Sequence, residues 1–306
     1  MVLIRGTQPI LIDTGFGSDL AETEQLLHQA GVPPQHLTLI ANTHYHCDHV
    51  GGNYGLQQRY HLPIAAHPWE AKPINQRDAE ACSANYLGQP IQPYRVTRFL
   101  TEGDTLDAGG VILKVLHTPG HSLGHLSFYA PEDQVLICGD CVHGDDVSWI
   151  NIFREGTGAI YRLLENLERF AKLPVCLACS GHGALITDPQ AAFAAAIDRY
   201  SRWLDDPTKI GWHACKRIFS YALMIENGLA ADDIAPYLLN LPWFHDFSRW
   251  MLHTDPAAFV QPLIEEVIRA GAARWEADRL VCATAFNPPV PHWYGQIPTR
   301  PHQWDK

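Results

Sequence analysis

No apolar run in this sequence approaches the roughly 18–20 residues that a membrane span requires, so a transmembrane helix is excluded. Positive charge is scarce: 22 Lys+Arg stand against 33 Asp+Glu in 306 residues, a formal net charge of −11. That balance disfavours broad attraction to nucleic acid or to an anionic membrane. Cysteine, at eight residues, is too thin for a disulfide scaffold. The start, Met1-Val2-Leu3-Ile4-Arg5-Gly6, lacks the basic stretch, long apolar stretch and cleavage site of a secretory signal, so a cytoplasmic address is expected. What is present is globular material: 46% hydrophobic residues, too apolar for disorder, at a length suited to about two domains.

The cysteines include two CxxC pairs, Cys138/Cys141 and Cys176/Cys179. They could form a structural zinc knot. Both pairs, however, lie in or beside strand-like apolar runs, where positions i and i+3 point to opposite faces. Small residues on two strands are the reading this favours.

Histidine is plentiful, with 17 residues. The densest group is Thr43-His44-Tyr45-His46-Cys47-Asp48-His49, a spacing able to ligate a transition metal. It follows the apolar run Leu37–Ala41, read as a buried strand, and precedes Gly51-Gly52, read as a tight turn into a helix near Gly55–Tyr60. The alternative, surface histidines with no shared task, weakens once three later residues are added. His121 follows a Pro-Gly turn after the strand Val111–Leu116. Asp140 follows Cys138-Gly139, and His182 sits in Ser180-Gly181-His182-Gly183. Each adjoins a strand end and a glycine, as expected of a metal site at one edge of stacked sheets.

The set His44-x-His46-x-Asp48-His49, then His121, Asp140 and His182, with the early turn Asp13-Thr14-Gly15, resembles the metallo-β-lactamase superfamily over roughly residues 2–190. The resemblance implies an α/β fold: an αββα sandwich with a metal centre at one edge of its sheets. It implies His44, His46 and His121 as ligands of one metal ion, and Asp48, His49 and His182 as ligands of a second. Asp140 becomes the bridge, and Cys47 stays outside the set. The implied cofactors are two divalent cations, Zn²⁺ first, with Fe or Mn as alternatives. The implied chemistry is hydrolysis by a bridging hydroxide, with Asp48 orienting it and shuttling its proton. Asp13 is either a partner for a ligand histidine or simply a turn residue. His143 is a candidate general acid, with a plain loop histidine as the alternative. Asp140 and His49 set this pattern apart from lactamases whose second metal uses cysteine. His46 sets it apart from the diiron flavoproteins, which usually place a carboxylate there. Superfamily members generally have a further strand before the one ending in Asp-Thr-Gly. Here Met1 stands almost at the start of Val2–Gly6, so a shortened start is expected.

The sandwich is expected over residues 1–189, with helices near 19–30, 76–86, 157–171 and 189–204. Residues 190–284 read as a mainly helical, winged-helix-like domain: helices near Gln190–Leu204, His213–Glu226, Ala231–Leu239 and Pro256–Ala270, then a hairpin from Ala272–Trp275 and Arg279–Ala283. Residues 190–306 carry 11 Lys+Arg and 13 Asp+Glu, so −9 of the charge falls on the first part. That near-neutral balance favours a helical lid over a nucleic-acid wing using Lys209, Lys216, Arg217, Arg274 and Arg279. Trp203, Trp212, Trp243 and Trp250 are assigned to the core. The tail, 285–306, is expected to be an extended strap or disordered.

The function expected is a binuclear metal-dependent hydrolase acting on a small thioester, lactone or ester. The alternatives are a metal-dependent endoribonuclease or nucleic-acid-binding protein using the C-terminal domain, and non-hydrolytic iron chemistry. The expected partner is a small-molecule substrate rather than nucleic acid or membrane, with a homodimer left open.

Overall fold

The structure, a computed structural model, describes residues 1–304. Short strands rich in Ile, Leu and Ala form the first sheet: β1 Val2–Ile4, β2 Ile10–Ile12, β3 Leu39–Ala41, β4 Ile64–Ala66 and β5 Arg98–Phe99, in that order. β1 runs antiparallel to β2 and the remaining pairs are parallel. The second sheet has the order β10-β9-β8-β7-β6. It contains β6 Thr105–Asp107, β7 Ile112–His117, β8 Leu126–Ala130, β9 Val135–Gly139 and β10 Leu177–Ser180, with only β9 and β10 parallel.

The two-residue period of a strand sorts the core into layers. Ile10, Ile12, Leu39 and Ala41 of the first sheet meet Leu113, Val115, Leu126, Phe128 and Ile137 of the second. The intervening Leu11 and Ile40 turn to the other face, where they are covered by α1 Leu20–Gln29, α2 Cys47–Val50, α3 Asn53–Tyr60, α4 Pro68–Asn75 and α5 Ala84–Leu87. The far face of the second sheet carries α6 Ile152–Glu155, α7 Ala159–Ala171 and α8 Pro189–Asp205. α7 shows why: Ile160, Leu163, Leu167 and Phe170 recur at helical spacing and all are buried. The result is the expected αββα sandwich.

Beyond it lie α9 Thr208–Ile225, α10 Ala231–Leu239, α11 Pro242–Asp246 and α12 Pro256–Arg269. A three-stranded sheet, β11-β13-β12, combines β11 Leu229–Ala230 with the hairpin β12 Ala273–Glu276 and β13 Arg279–Cys282. The core runs without a break across position 190: α8 packs on α7, and Phe193 and Tyr200 share a buried cluster with Ile218 and Phe219 of α9.

Two expectations change, and the tail settles on one of its two. The helix expected at 76–86 lies earlier, at Pro68–Asn75. Pro68 opens it with a pre-set φ, and the His67 ring accepts a hydrogen bond from the Trp69 amide. Left-handed φ values at Arg77, Cys82 and Ser83 break the stretch that follows. Trp250 is 71% exposed, so it is not core; it sits on a single π turn, Phe247–Met251, that pushes it outward. The tail is a strap. Val290 N–H donates to Ser18 Oγ (2.7 Å), Ile91 N–H to the Thr299 carbonyl (2.9 Å), and Trp304 is buried with its indole N–H on the Ile91 carbonyl (3.3 Å).

No helix is long and apolar enough to cross a membrane among the described residues. The CxxC pairs do not converge: Cys138 donates to the Cys179 carbonyl, Cys176 is exposed, and no metal-capable group among the described residues includes a cysteine.

Candidate metal centre

Strand ends deliver the chemistry. The chain leaves β3 at Ala41 and reaches His44, His46, Asp48 and His49. It leaves β7 at His117 and reaches His121, leaves β9 at Gly139 into Asp140, and leaves β10 at Ser180 to reach His182. All seven residues gather at this one edge. His44, His46 and His121 each bring a ligand atom within 4.8 Å of the others, as do Asp48, His49 and His182, and as do His44, His49 and Asp140. Asp140 lies between the two imidazole groups: Oδ1 is 3.3 Å from His49 Nε2, and Oδ2 is 3.3 Å from His182 Nε2 and 3.6 Å from His121 Nε2. Asp48 Oδ2 is 3.2 Å from His182 Nε2.

The four buried rings are held from behind. Asp13, in a left-handed turn (φ 59°), accepts from Thr43 N–H and Thr43 Oγ1 (both 2.7 Å) and from His49 Nδ1 (2.9 Å). His121 Nδ1 donates to the Trp149 carbonyl (2.9 Å) and lies 2.6 Å from Ser148 Oγ, which turns Nε2 inward. His44 Nδ1 meets Thr43 Oγ1 (3.1 Å), and the His46 ring stacks on Trp149 at 5.3 Å. Such outer partners fix the tautomer and aim of a metal ligand. Asp13 therefore takes the ring-holding role left open by its sequence.

Burial is near complete for five of the seven; Asp48 is partly exposed, and His182 is half exposed and marks the opening. Burial holds His44 well below the ordinary imidazole range, lowers His46 to about 3 and lowers His121. These rings are neutral, the form that binds a cation. Burial also works against charge on His49, but the carboxylates of Asp140, Asp48 and Asp13 outweigh it and raise that ring to about 10. Asp140, foremost, raises His182 well above its usual range. Burial raises the carboxyls of Asp48 and Asp140, yet the neighbouring His49 and His182 rings overcome it and hold both low.

Two buried atoms test the fit of a cation. His44 Nε2 and Asp140 Oδ1 have no hydrogen-bond partner, a costly condition that a cation between them relieves. Imidazole nitrogens with bridging carboxylate oxygens are also a donor set suited to Zn²⁺, Fe or Mn. The residues fit the group. Close packing depends on Gly181: a Cβ there would lie 2.1 Å from Asp140 Oδ1 and 2.6 Å from His49 Cε1.

His143 lies beside the cluster. Its Nδ1 is 2.7 Å from Ser180 Oγ, its ring 5.6 Å from that of His182, and burial lowers it to about 3. The sequence reading passes over His125, whose Nε2 accepts from Asp140 N–H (3.0 Å) while Nδ1 meets Thr118 Oγ1 (2.9 Å). Its spacing from His121, four positions on, was the available signal. It also passes over Glu70, buried and accepting from Ser122 Oγ at 2.5 Å directly after His121. No local motif marks that residue. A hollow of about 670 Å³ beside Arg5, Thr7 and His36 lies at the other end of β2 and β3 and touches none of this machinery.

Comparison with known proteins agrees with the geometry. The chain is 31% identical over 195 residues to a hydroxyacylglutathione hydrolase of Xylella fastidiosa (strain 9a5c), a match covering 62% of this chain and 60% of that protein. It is 29% identical over 195 residues to the acyl-coenzyme A thioesterase MBLAC2 of Bos taurus, covering 55% and 67%. Among solved structures, the metallo-beta-lactamase family protein TTHA1429 from Thermus thermophilus superposes with a TM-score of 0.57 at 21% identity, covering 92% of each chain. BJP-1, a subclass B3 metallo-beta-lactamase of Bradyrhizobium japonicum, gives 0.54 at 18% identity over 68% of this chain and 88% of the other. These two show the shared fold alone. A model of the metallo-beta-lactamase superfamily matches residues 1–182, the stretch that forms the sandwich and carries all seven clustered side chains, and the chain belongs to that superfamily.

Proposed function

We propose that the protein is a binuclear metal-dependent hydrolase of a small thioester, lactone or ester. The observation that carries this reading is the position of Asp140, whose Oδ1 faces the His49 ring while its Oδ2 faces both His182 and His121. His44, His46 and His121 would hold one cation, Asp48, His49 and His182 the other, and Asp140 both. Bound divalent cations supply a water acidic enough to ionise near neutral pH and polarise a carbonyl oxygen.

The remaining work belongs to the chain. Asp48 Oδ2, kept ionised by its histidine neighbours, takes up the proton of the attacking water. The half-exposed His182 lies on the substrate's path. His143, neutral through burial, serves the leaving group by donating an N–H. One water is consumed, the acyl C–S or C–O bond breaks, and the products are a carboxylic acid and a thiol or alcohol. By name, the relatives above are a hydroxyacylglutathione hydrolase and an acyl-coenzyme A thioesterase, which supports the class of reaction; this chain spans 60% of the length of the first.

The nuclease alternative draws on the helices and hairpin of residues 190–284, which we also propose to be a winged-helix-like domain. Its candidate phosphate contacts are already engaged: Lys216 with Glu266 (3.0 Å), Arg217 with Asp146, Arg274 with Glu276 (2.5 Å), and Arg279 with the Gly228 carbonyl (2.6 Å). This favours the small-molecule reading, with a cytoplasmic setting. Elemental analysis of the purified protein beside a panel of thioester, lactone, phosphodiester and RNA substrates tests it. Two equivalents of metal with carbonyl-ester turnover are expected; RNA cleavage with salt-dependent affinity and no carbonyl turnover would overturn it.

A further inference from the structure

A cavity of about 350 Å³ opens from the metal cluster, with Asp48, Gly181 and His182 forming one end. Away from that end its walls are mostly apolar, with Asp19, Glu22, Thr23 and Asn287 as the polar exceptions, and come from distant stretches of chain. Tyr221, Met224 and Ile225 enter from α9, and Phe16 and Leu26 from the loop after β2 and from α1. Phe286 and Pro289 enter from the strap. The strap is tied down at this point, with Asn287 Nδ2 donating to Glu22 Oε2 (2.5 Å) and Val290 N–H donating to Ser18 Oγ (2.7 Å). The charged side chains along the α1 wall are Asp19 and Glu22, and among the described residues no Lys or Arg side chain lines the cavity.

Resting on the hydrolytic reading above, we propose that this cavity is an acyl pocket that takes an uncharged, apolar chain attached to the scissile carbonyl and rejects a chain ending in a carboxylate. The volume is near the lower bound for small-molecule sites, which suits a medium-length chain. Each methylene moved from water onto these walls raises affinity about fourfold. An anionic end reaching the α1 wall meets Asp19 and Glu22, which no Lys or Arg side chain of the cavity offsets; the other groups near them are Met1 and, at the cluster end, His182. A glutathionyl group, which carries carboxylates, is therefore a poor occupant of this cavity.

The test uses the metal-loaded protein and N-acetylcysteamine thioesters of straight-chain acids from acetyl to octanoyl, with an octanoyl analogue carrying a terminal carboxylate. We expect kcat/KM to rise about fourfold per methylene until the cavity is full, and the carboxylated analogue to fall about tenfold or more below octanoyl. Leu26→Glu, at a residue 44% exposed and so tolerant of a polar side chain, flattens the chain-length dependence. Calorimetric titration with straight-chain alcohols reads the same pocket without turnover, and affinity should climb with length in the native protein and lose that slope in Leu26→Glu. Thioester turnover indifferent to chain length, with no slope for alcohols, overturns the acyl pocket and leaves the hydrolase standing. Equal turnover of the carboxylated analogue overturns the charge exclusion. Length-dependent alcohol binding with no hydrolysis of any carbonyl ester upholds the pocket and overturns the hydrolytic reading.

Discussion

The carboxylate of Asp13 holds the imidazole of His49 at 2.9 Å while accepting both the backbone N–H and the hydroxyl of Thr43. One side chain thus ties the first sheet to the start of the ligand loop and fixes which nitrogen of His49 faces the cluster. Asp13→Asn, which tolerates the same left-handed backbone, is expected to weaken metal affinity by about 10–100-fold. Competition against a chromogenic chelator measures it; native affinity would reduce Asp13 to a turn residue.

His121→Ala removes a neutral, buried imidazole of the cluster proposed to hold the metal and is expected to strip metal and most activity. Chelation of the native protein should lower its thermal midpoint, because bound cations stabilise only the folded state. Elemental analysis and a melting curve check both. Unchanged metal content in the variant counts against the assignment.

Asp48→Asn keeps a similar shape but cannot take up a proton. Turnover is expected to drop about 10²–10⁴-fold with the circular dichroism spectrum intact. Rates near native remove Asp48 from the mechanism.

Gly181→Ala places a methyl group 2.1 Å from Asp140 Oδ1. The loop must shift, and lost metal with retained secondary structure is the expected result, read by metal content beside circular dichroism. Full metal loading in this variant would mean that the loop yields freely.

Glu155 sits buried near Tyr45, and burial raises its carboxyl from 4.5 to about 7. Between those values the folded chain binds the extra proton. Stability therefore declines as pH rises from about 4.5 to 7, by a total of about 3 kcal/mol. Glu155→Gln should remove that decline and be the more stable protein above pH 7. Denaturant midpoints of both proteins at pH 5 and pH 8 decide it; parallel pH profiles would contradict the assignment.

The seven clustered residues were legible because they stand in short motifs beside glycine and strand ends, and their roles as ligands came from the resemblance to the superfamily. The helices of the C-terminal part were legible from their stops: Ala231–Leu239 matches the expected range, and Pro256–Arg269 ends one residue short of it. The helix misplaced at 76–86 had no such signal, since its true start rests on Pro68 and the His67 cap while Arg77, Cys82 and Ser83 adopt left-handed backbone only in the folded chain. His125, Glu70 and Trp149 escaped notice for a related reason. Each acts on the cluster or on a neighbour of it through contacts between residues far apart in sequence or through a backbone atom, and only His125, four positions after His121, left a local trace.

The strap from Phe286 to Trp304 spans the region between the helical part and the first sheet's helices, fastened at Ser18, at Ile91 and finally by the buried Trp304, whose ring lies against the Arg77 guanidinium. Its Phe286 and Pro289 face the reaction chamber without belonging to the metal-holding scaffold. On the reading proposed above, exchanges at these two strap positions would redraw which chains fit the cavity without altering a single histidine or carboxylate of the cluster.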